Sequence, residues 1–97
     1  MIVHIVMFKF KDENKSTNIA HTKQMLDTLV DLIPALKLME VGVNFTVAPR
    51  AFDLSLYSTF DSKEDLEAYA IHPEHLKVVE FIKSVTIESK VVDYIKE

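Results

Sequence analysis

The sequence predicts an α+β fold of ferredoxin-like order, β-α-β-β-α-β, built on a four-stranded antiparallel sheet with helices on one face. Three observations predict it. Short β-branched and aromatic runs with a repeat of two alternate with longer runs whose apolar residues recur every three or four. That alternation passes twice through strand, helix and strand, the doubling expected of a split β-α-β unit. The first strand is apolar on both sides, so it belongs at the centre of a sheet covered on both faces, where a half-solvated strand would alternate more cleanly.

Met1 to Phe10 is the first strand, ended by the polar run Lys11 to Ser16. Ile2, His4, Val6, Phe8 and Phe10 share one face, and Val3, Ile5, Met7 and Lys9 the other. From about Ser16 to Ile33 the period becomes helical, with Ile19, Lys23, Leu26, Leu29 or Val30, and Ile33 on the inner stripe. Pro34 closes this helix or sits just past it. His21, among polar neighbours, is given no role. Lys37 to Thr46 is the second strand, with Met39, Val41, Val43 and Phe45 on one face. Gly42, the one glycine in the chain, marks a bulge there, or a close approach of another group.

Val47 to Phe52 connects to the third strand, Asp53 to Phe60, where Leu54, Leu56 and Phe60 oppose Ser55, Tyr57 and Thr59. Asp61 to Asp65 starts a short helix, with a capping box between Asp61 and Glu64 or between Ser62 and Asp65. Leu66, Tyr69 and Ala70 form its inner side. It stops at Ile71-His72, because the residue before Pro73 avoids helical geometry. Pro73 then suits the first turn of a further helix, running to about Ser84, with Leu76, Val79, Phe81 and Ile82 or Lys83 as its buried stripe. Thr86 to Ile95 is the last strand, followed by Lys96 and Glu97.

Composition narrows the function. The 97 residues form one domain, residues 1–97, with neither repeat nor linker. A net charge of -4, with the 11 Lys and Arg residues scattered singly, argues against nucleic acid, which needs a positive stripe. The absence of Cys excludes disulfides and thiolate metal sites and suits a reducing compartment. Met1 to Phe10 is too short to span a membrane and lacks the basic start of a signal peptide. A soluble, cytoplasmic protein is expected. With helices on only one face of the sheet, the face carrying Val3, Ile5 and Met7, widened by Tyr57, Val92 and Tyr94, would lie bare. The expected solution is a second copy placed sheet to sheet, a homodimer.

The densest chemistry lies in Tyr69-Ala70-Ile71-His72-Pro73-Glu74-His75, where two imidazoles, a phenol and a carboxylate surround a proline. His75 falls at about the third position of the helix that Pro73 opens. The positive end of that helix would lower its pKa while Glu74 pushes the other way. A neutral imidazole can act as a general base, and Tyr69 can donate to an oxygen that gains charge. The plainer alternative is that His75 bonds a nearby carbonyl and locks the break between helices, with Tyr69 a core aromatic whose hydroxyl is satisfied. His72 reads as the cap before Pro73. His4 is either a hydrogen-bonded core histidine or a pocket wall. A metal site from His72, Glu74 and His75 is disfavoured because Pro73 interrupts the helical spacing of ligands, and no cofactor is called for.

Several segments together carry a resemblance: His4 to Asp12, Ile33-Pro34-Ala35-Leu36, Glu40 to Asn44, Phe60 to Leu66, Tyr69 to His75 and Asp93-Tyr94. In that order they resemble the stress-responsive A/B barrel (Dabb) domain family over nearly the whole chain. The resemblance implies a dimeric α/β barrel. Members of that family include plant stress-induced proteins without a settled reaction and a plant polyketide cyclase that closes a ring by aldol condensation. In cyclase-type members a Tyr and the second His of the Tyr-x-x-His-Pro-x-His segment carry catalysis, and a first-strand His lines the pocket. By resemblance these are Tyr69, His75 and His4. Leu26 and Ser58 stand where polar or aromatic liners would be sought. The resulting expectation is a homodimer that binds a small apolar or aromatic molecule. The alternative is a cofactor-free lyase, cyclase or isomerase with His75 as base and Tyr69 as oxyanion donor. A haem-handling or quinol-oxidising enzyme is disfavoured by the absence of Trp and of an axial-ligand setting. A cavity lined by His75 and Tyr69 would favour the catalytic alternative, and a filled interior the first.

Overall fold

The computed structural model describes residues 1–97. Its elements are β1 (Ile2–Phe10), α1 (Lys15–Leu32), β2 (Leu38–Val43), β3 (Leu54–Phe60), α2 (Lys63–Ala70), α3 (Pro73–Val85) and β4 (Thr86–Ile95). The strands form one antiparallel sheet in the order β2-β3-β1-β4, so β1, apolar on both faces, is central as the sequence predicts, with β3 as the other inner strand. The core takes Ile2, Phe8 and Phe10 from β1, Val41 from β2, and Leu54, Leu56 and Phe60 from β3. All lie on one face by the period-two alternation, and Leu26, Leu29, Tyr69, Val78 and Ile82 of the helices close over them. No helix is long and apolar enough to cross a membrane.

Local chemistry sets the boundaries. Asn14 opens α1 in the left-handed region, at φ 53°, which Asn tolerates better than most residues. Ile33 is extended because Pro34 follows it, and α1 ends there. Ser62 caps α2 by accepting from the Asp65 N–H at 3.1 Å, the second of the two capping pairs the sequence offers. His72 Nδ1 accepts from the Glu74 N–H at 3.1 Å, and Pro73 opens α3 with no donor to lose.

Four expectations are corrected. β2 stops at Val43 rather than Thr46, because the Asn44 side chain bonds both the N–H and the carbonyl of Thr46 and turns the chain, leaving Phe45 exposed. Gly42 makes no bulge. It pairs regularly with Ser55, and the irregular step lies where Lys9 and Phe10 face Glu88 and Thr86, leaving Ile87 unpaired. Ala70 is exposed, so the inner side of α2 is Leu66 and Tyr69. The stripe of α3 is turned relative to the expected one. Val78 and Ile82 are buried, whereas Leu76 is 51% exposed. The inward row starts at His75 and continues through Val78 and Ile82, at helical spacing from the proline.

That phase is measurable. Ile82→Ala should cost about 2–5 kcal/mol by chemical denaturation, as for a filled core site, and Leu76→Ala within about 0.5 kcal/mol. Equal losses would mean that α3 is rotated from the position described.

Candidate functional site

The break between α2 and α3 brings Tyr69 and His75 together. Tyr69, one residue from the end of α2, is 1% exposed and packs on Phe60 with ring centroids 5.1 Å apart. The His75 ring lies 4.2 Å from the Tyr69 ring, centroid to centroid. His4, the third residue of β1, meets Tyr69 and Phe60 edge-on, each at 6.5 Å. All three expected residues therefore share one place.

The same side chains line a cavity of about 210 Å³ between the helices and the sheet. Val6, Phe8, Leu26, Leu56, Val78 and Ile82 supply its apolar walls. Leu26 thus stands at the wall, where the resemblance would place a polar or aromatic liner. Ser58 is buried and donates to the His4 carbonyl at 3.0 Å, helping to fix that strand position.

Hydrogen bonds decide where the protons sit. His75 Nδ1 lies 3.1 Å from the Ala70 carbonyl oxygen. A carbonyl only accepts, so Nδ1 carries hydrogen and Nε2 keeps its lone pair when the ring is neutral. The lock and the base are thus compatible, since the bond that pins the break also selects the tautomer. His4 Nδ1 is likewise engaged, by the Asp93 carboxylate. His72 has the opposite tautomer, its Nδ1 accepting from backbone. His72, Glu74 and His75 do not converge, and no three His, Asp or Glu side chains are grouped to hold an ion.

Burial is the main cause holding His75 below the ordinary imidazole value of 6.5; the bond to Ala70 opposes it, and the charges of His4 and His72 add to it. The helix end and Glu74, invoked from sequence, are not the causes found. Burial also pushes the Tyr69 phenol well above its ordinary value, so it stays a proton donor throughout the neutral range. Its hydroxyl is buried with no hydrogen-bond partner in the protein, contrary to the expectation of a satisfied core tyrosine. His21, with no part in this site, stacks on Phe81 at 4.6 Å.

Asp93 was missed as a site residue. It faces His4 in the β1–β4 register, 89 residues away in the chain. A lone carboxylate within Val91-Val92-Asp93-Tyr94-Ile95 was the available signal, but it becomes specific only once the pairing partner is known.

A lowered folded-state pKa means that the unfolded chain takes the His75 proton first, so stability is lost as pH falls below about 6.5. Urea unfolding at about pH 7.5 and about pH 5.5 should show a larger loss for the native protein than for His75→Gln, whose amide can still donate to Ala70. Identical losses would remove the desolvated imidazole from the account.

Residues 2–96 match the family described as Stress responsive A/B Barrel Domain. The chain is 36% identical over 98 residues to a stress-response A/B barrel domain-containing protein of Arabidopsis thaliana, covering 100% of this chain and 37% of that protein. It thus spans little more than a third of that relative's length. It is 27% identical over 95 residues to olivetolic acid cyclase of Cannabis sativa, covering 96% of this chain and 94% of the cyclase. Among solved structures, it superposes on a dimeric protein of unknown function and ferredoxin-like fold from Bacteroides fragilis. There the TM-score is 0.87 and the identity 31%, with 96% of this chain and 93% of that one covered.

Proposed function

This chain belongs to the stress-responsive A/B barrel domain family, and from that premise we propose that it is a homodimeric cytoplasmic protein that binds a small aromatic or apolar carbonyl compound and catalyses proton transfer on it without metal or cofactor. The observation that carries this reading is Tyr69 itself, its hydroxyl buried and unpartnered and its ring packed against His75, both residues lining an apolar cavity. A donor left unsatisfied in a protein interior costs about 1–3 kcal/mol. A carbonyl oxygen brought to it recovers part of that cost, and an oxygen gaining negative charge recovers more. Size limits the ligand, since a cavity of about 150 Å³ takes benzene and one of about 210 Å³ takes a ring with a short substituent.

In this reading, His75 Nε2 removes a proton from the carbon next to the carbonyl. The electron pair moves onto the carbonyl oxygen, which Tyr69 stabilises by its O–H bond. The enolate then regains a proton elsewhere or attacks a second carbonyl of the same molecule. His4, held by Asp93, forms the wall opposite and supplies a second imidazole to the reacting oxygen or its product. The 27% identity to a cyclase along nearly the whole chain supports this choice over binding without turnover.

The dimer rests on the other face of the sheet. Met7, Val92 and Tyr94 are 40%, 52% and 44% exposed there, and no helix covers them. A second copy laid sheet to sheet would remove this patch from water. The Bacteroides fragilis relative is described as dimeric, which supports pairing of two copies.

Two experiments test these statements. With ethyl benzoylacetate as probe, catalysed α-deuterium exchange should fall at least about 100-fold in His75→Ala and about as far in Tyr69→Phe. Tyr69→Phe should nevertheless be more stable than the native protein by about 1 kcal/mol, having lost the orphaned hydroxyl. Native rates in both variants would end the catalytic reading. Sedimentation at micromolar concentration should give twice the 11.1 kDa chain mass, and Val92→Lys should give the single mass. A native protein sedimenting as a monomer would refute the dimer.

A further inference from the structure

The cavity has two unlike ends. β1 and α3 run along it in the same direction, from His4 and His75 at one end to Phe8 and Lys83 at the other. Eight residues of α3 separate His75 from Lys83, about 12 Å of helix. Four residues of β1 separate His4 from Phe8, about 13 Å of strand, and Ser89 lies opposite Phe8 in the register. The two estimates agree. The cavity is a slot with the imidazoles and the phenol at one end and Lys83, Thr86 and Ser89 at the other.

Lys83 is the one cation on its lining, is exposed at its rim, and takes part in none of the ion pairs in the molecule. The carbonyl end of α3 would ordinarily repel an anion there. Three of its last four carbonyls are already engaged. The Ile82 carbonyl accepts from the Thr86 N–H and from Thr86 Oγ1 at 2.8 Å. The Ser84 carbonyl accepts from Lys11 Nζ at 3.0 Å, and the Val85 carbonyl from the Lys11 N–H at 2.9 Å. Lys11 thus offsets the helix end and leaves the Lys83 ammonium without a counter-charge. Ser89 adds a hydroxyl with no hydrogen-bonding partner in the fold beside it.

Resting on the proposed carbonyl chemistry, we propose that the ligand class is an amphipathic keto acid. Its carbonyl lies at Tyr69 and His75, its apolar body along Val6, Leu56, Val78 and Ile82, and its carboxylate at Lys83 and Ser89. Lys83 is a specificity residue, remote from the reacting carbon. The pairing is rim-exposed, so its worth is modest and falls with salt.

The test uses 4-acetylbenzoate and its neutral methyl ester, two probes that differ in charge at the end distant from the acetyl group. Binding is followed by the shift of the His75 ring protons in NMR. The native protein should prefer the carboxylate by about five-fold. Lys83→Met should abolish that preference with little change for the ester, Lys83→Glu should reverse it, and high salt should weaken it. As Lys83 is exposed, neither variant threatens the fold. Ester bound at His75 as tightly as the carboxylate, or a preference that survives Lys83→Met, overturns the keto-acid assignment while leaving the carbonyl chemistry standing. If neither probe moves the His75 signals, the carbonyl reading fails and this assignment with it.

Discussion

The bond from His75 Nδ1 to the Ala70 carbonyl, thrown across the break at Pro73, is the contact on which the site depends. It does two things at once. It ties the start of α3 to the end of α2, which sets the angle at which Tyr69 and His75 meet. It also commits the Nδ1 proton and leaves Nε2 as the only basic atom of the ring. A structural lock and a poised base are often treated as competing explanations of a helix-start histidine. In this geometry a single hydrogen bond serves both.

The rest of the fold supplies the environment for that pair. The central position of β1 carries His4 into the layer between sheet and helices, and its pairing with β4 brings Asp93 to the same ring. Phe60 and the inward row of α3 keep water from Tyr69 and half-bury His75, which moves the two pKa values in opposite directions. Groups pushed apart in this way acquire distinct acid and base characters near neutral pH. The unpartnered Tyr69 hydroxyl is a local loss of stability, of the kind that proteins tolerate where a ligand is to be met.

Most of this fold was legible because period carries the information. A strand apolar on both faces names its own central position, and Pro73 with His72 announces the helix break from local chemistry alone. What stayed hidden depended on contacts distant in sequence or on helix phase. Asp93 gains meaning only when β4 lies beside β1. The turned stripe of α3 follows from where Pro73 starts the helix, which puts His75, not Leu76, on the inner side. The cause of the His75 shift was misjudged because a helix end is visible in sequence whereas burial is not. Gly42 misled in a different way. An isolated glycine in a strand suggests a bulge, yet here it holds regular register with Ser55.

The most direct measurement is the ¹⁵N spectrum of the histidine rings as a function of pH. Here the neutral His75 ring is protonated at Nδ1 and titrates below 6.5, with Nε2 as the site that takes up the proton. A His75 protonated instead at Nε2 in its neutral form, or titrating at or above the ordinary imidazole value, would contradict the account at its centre.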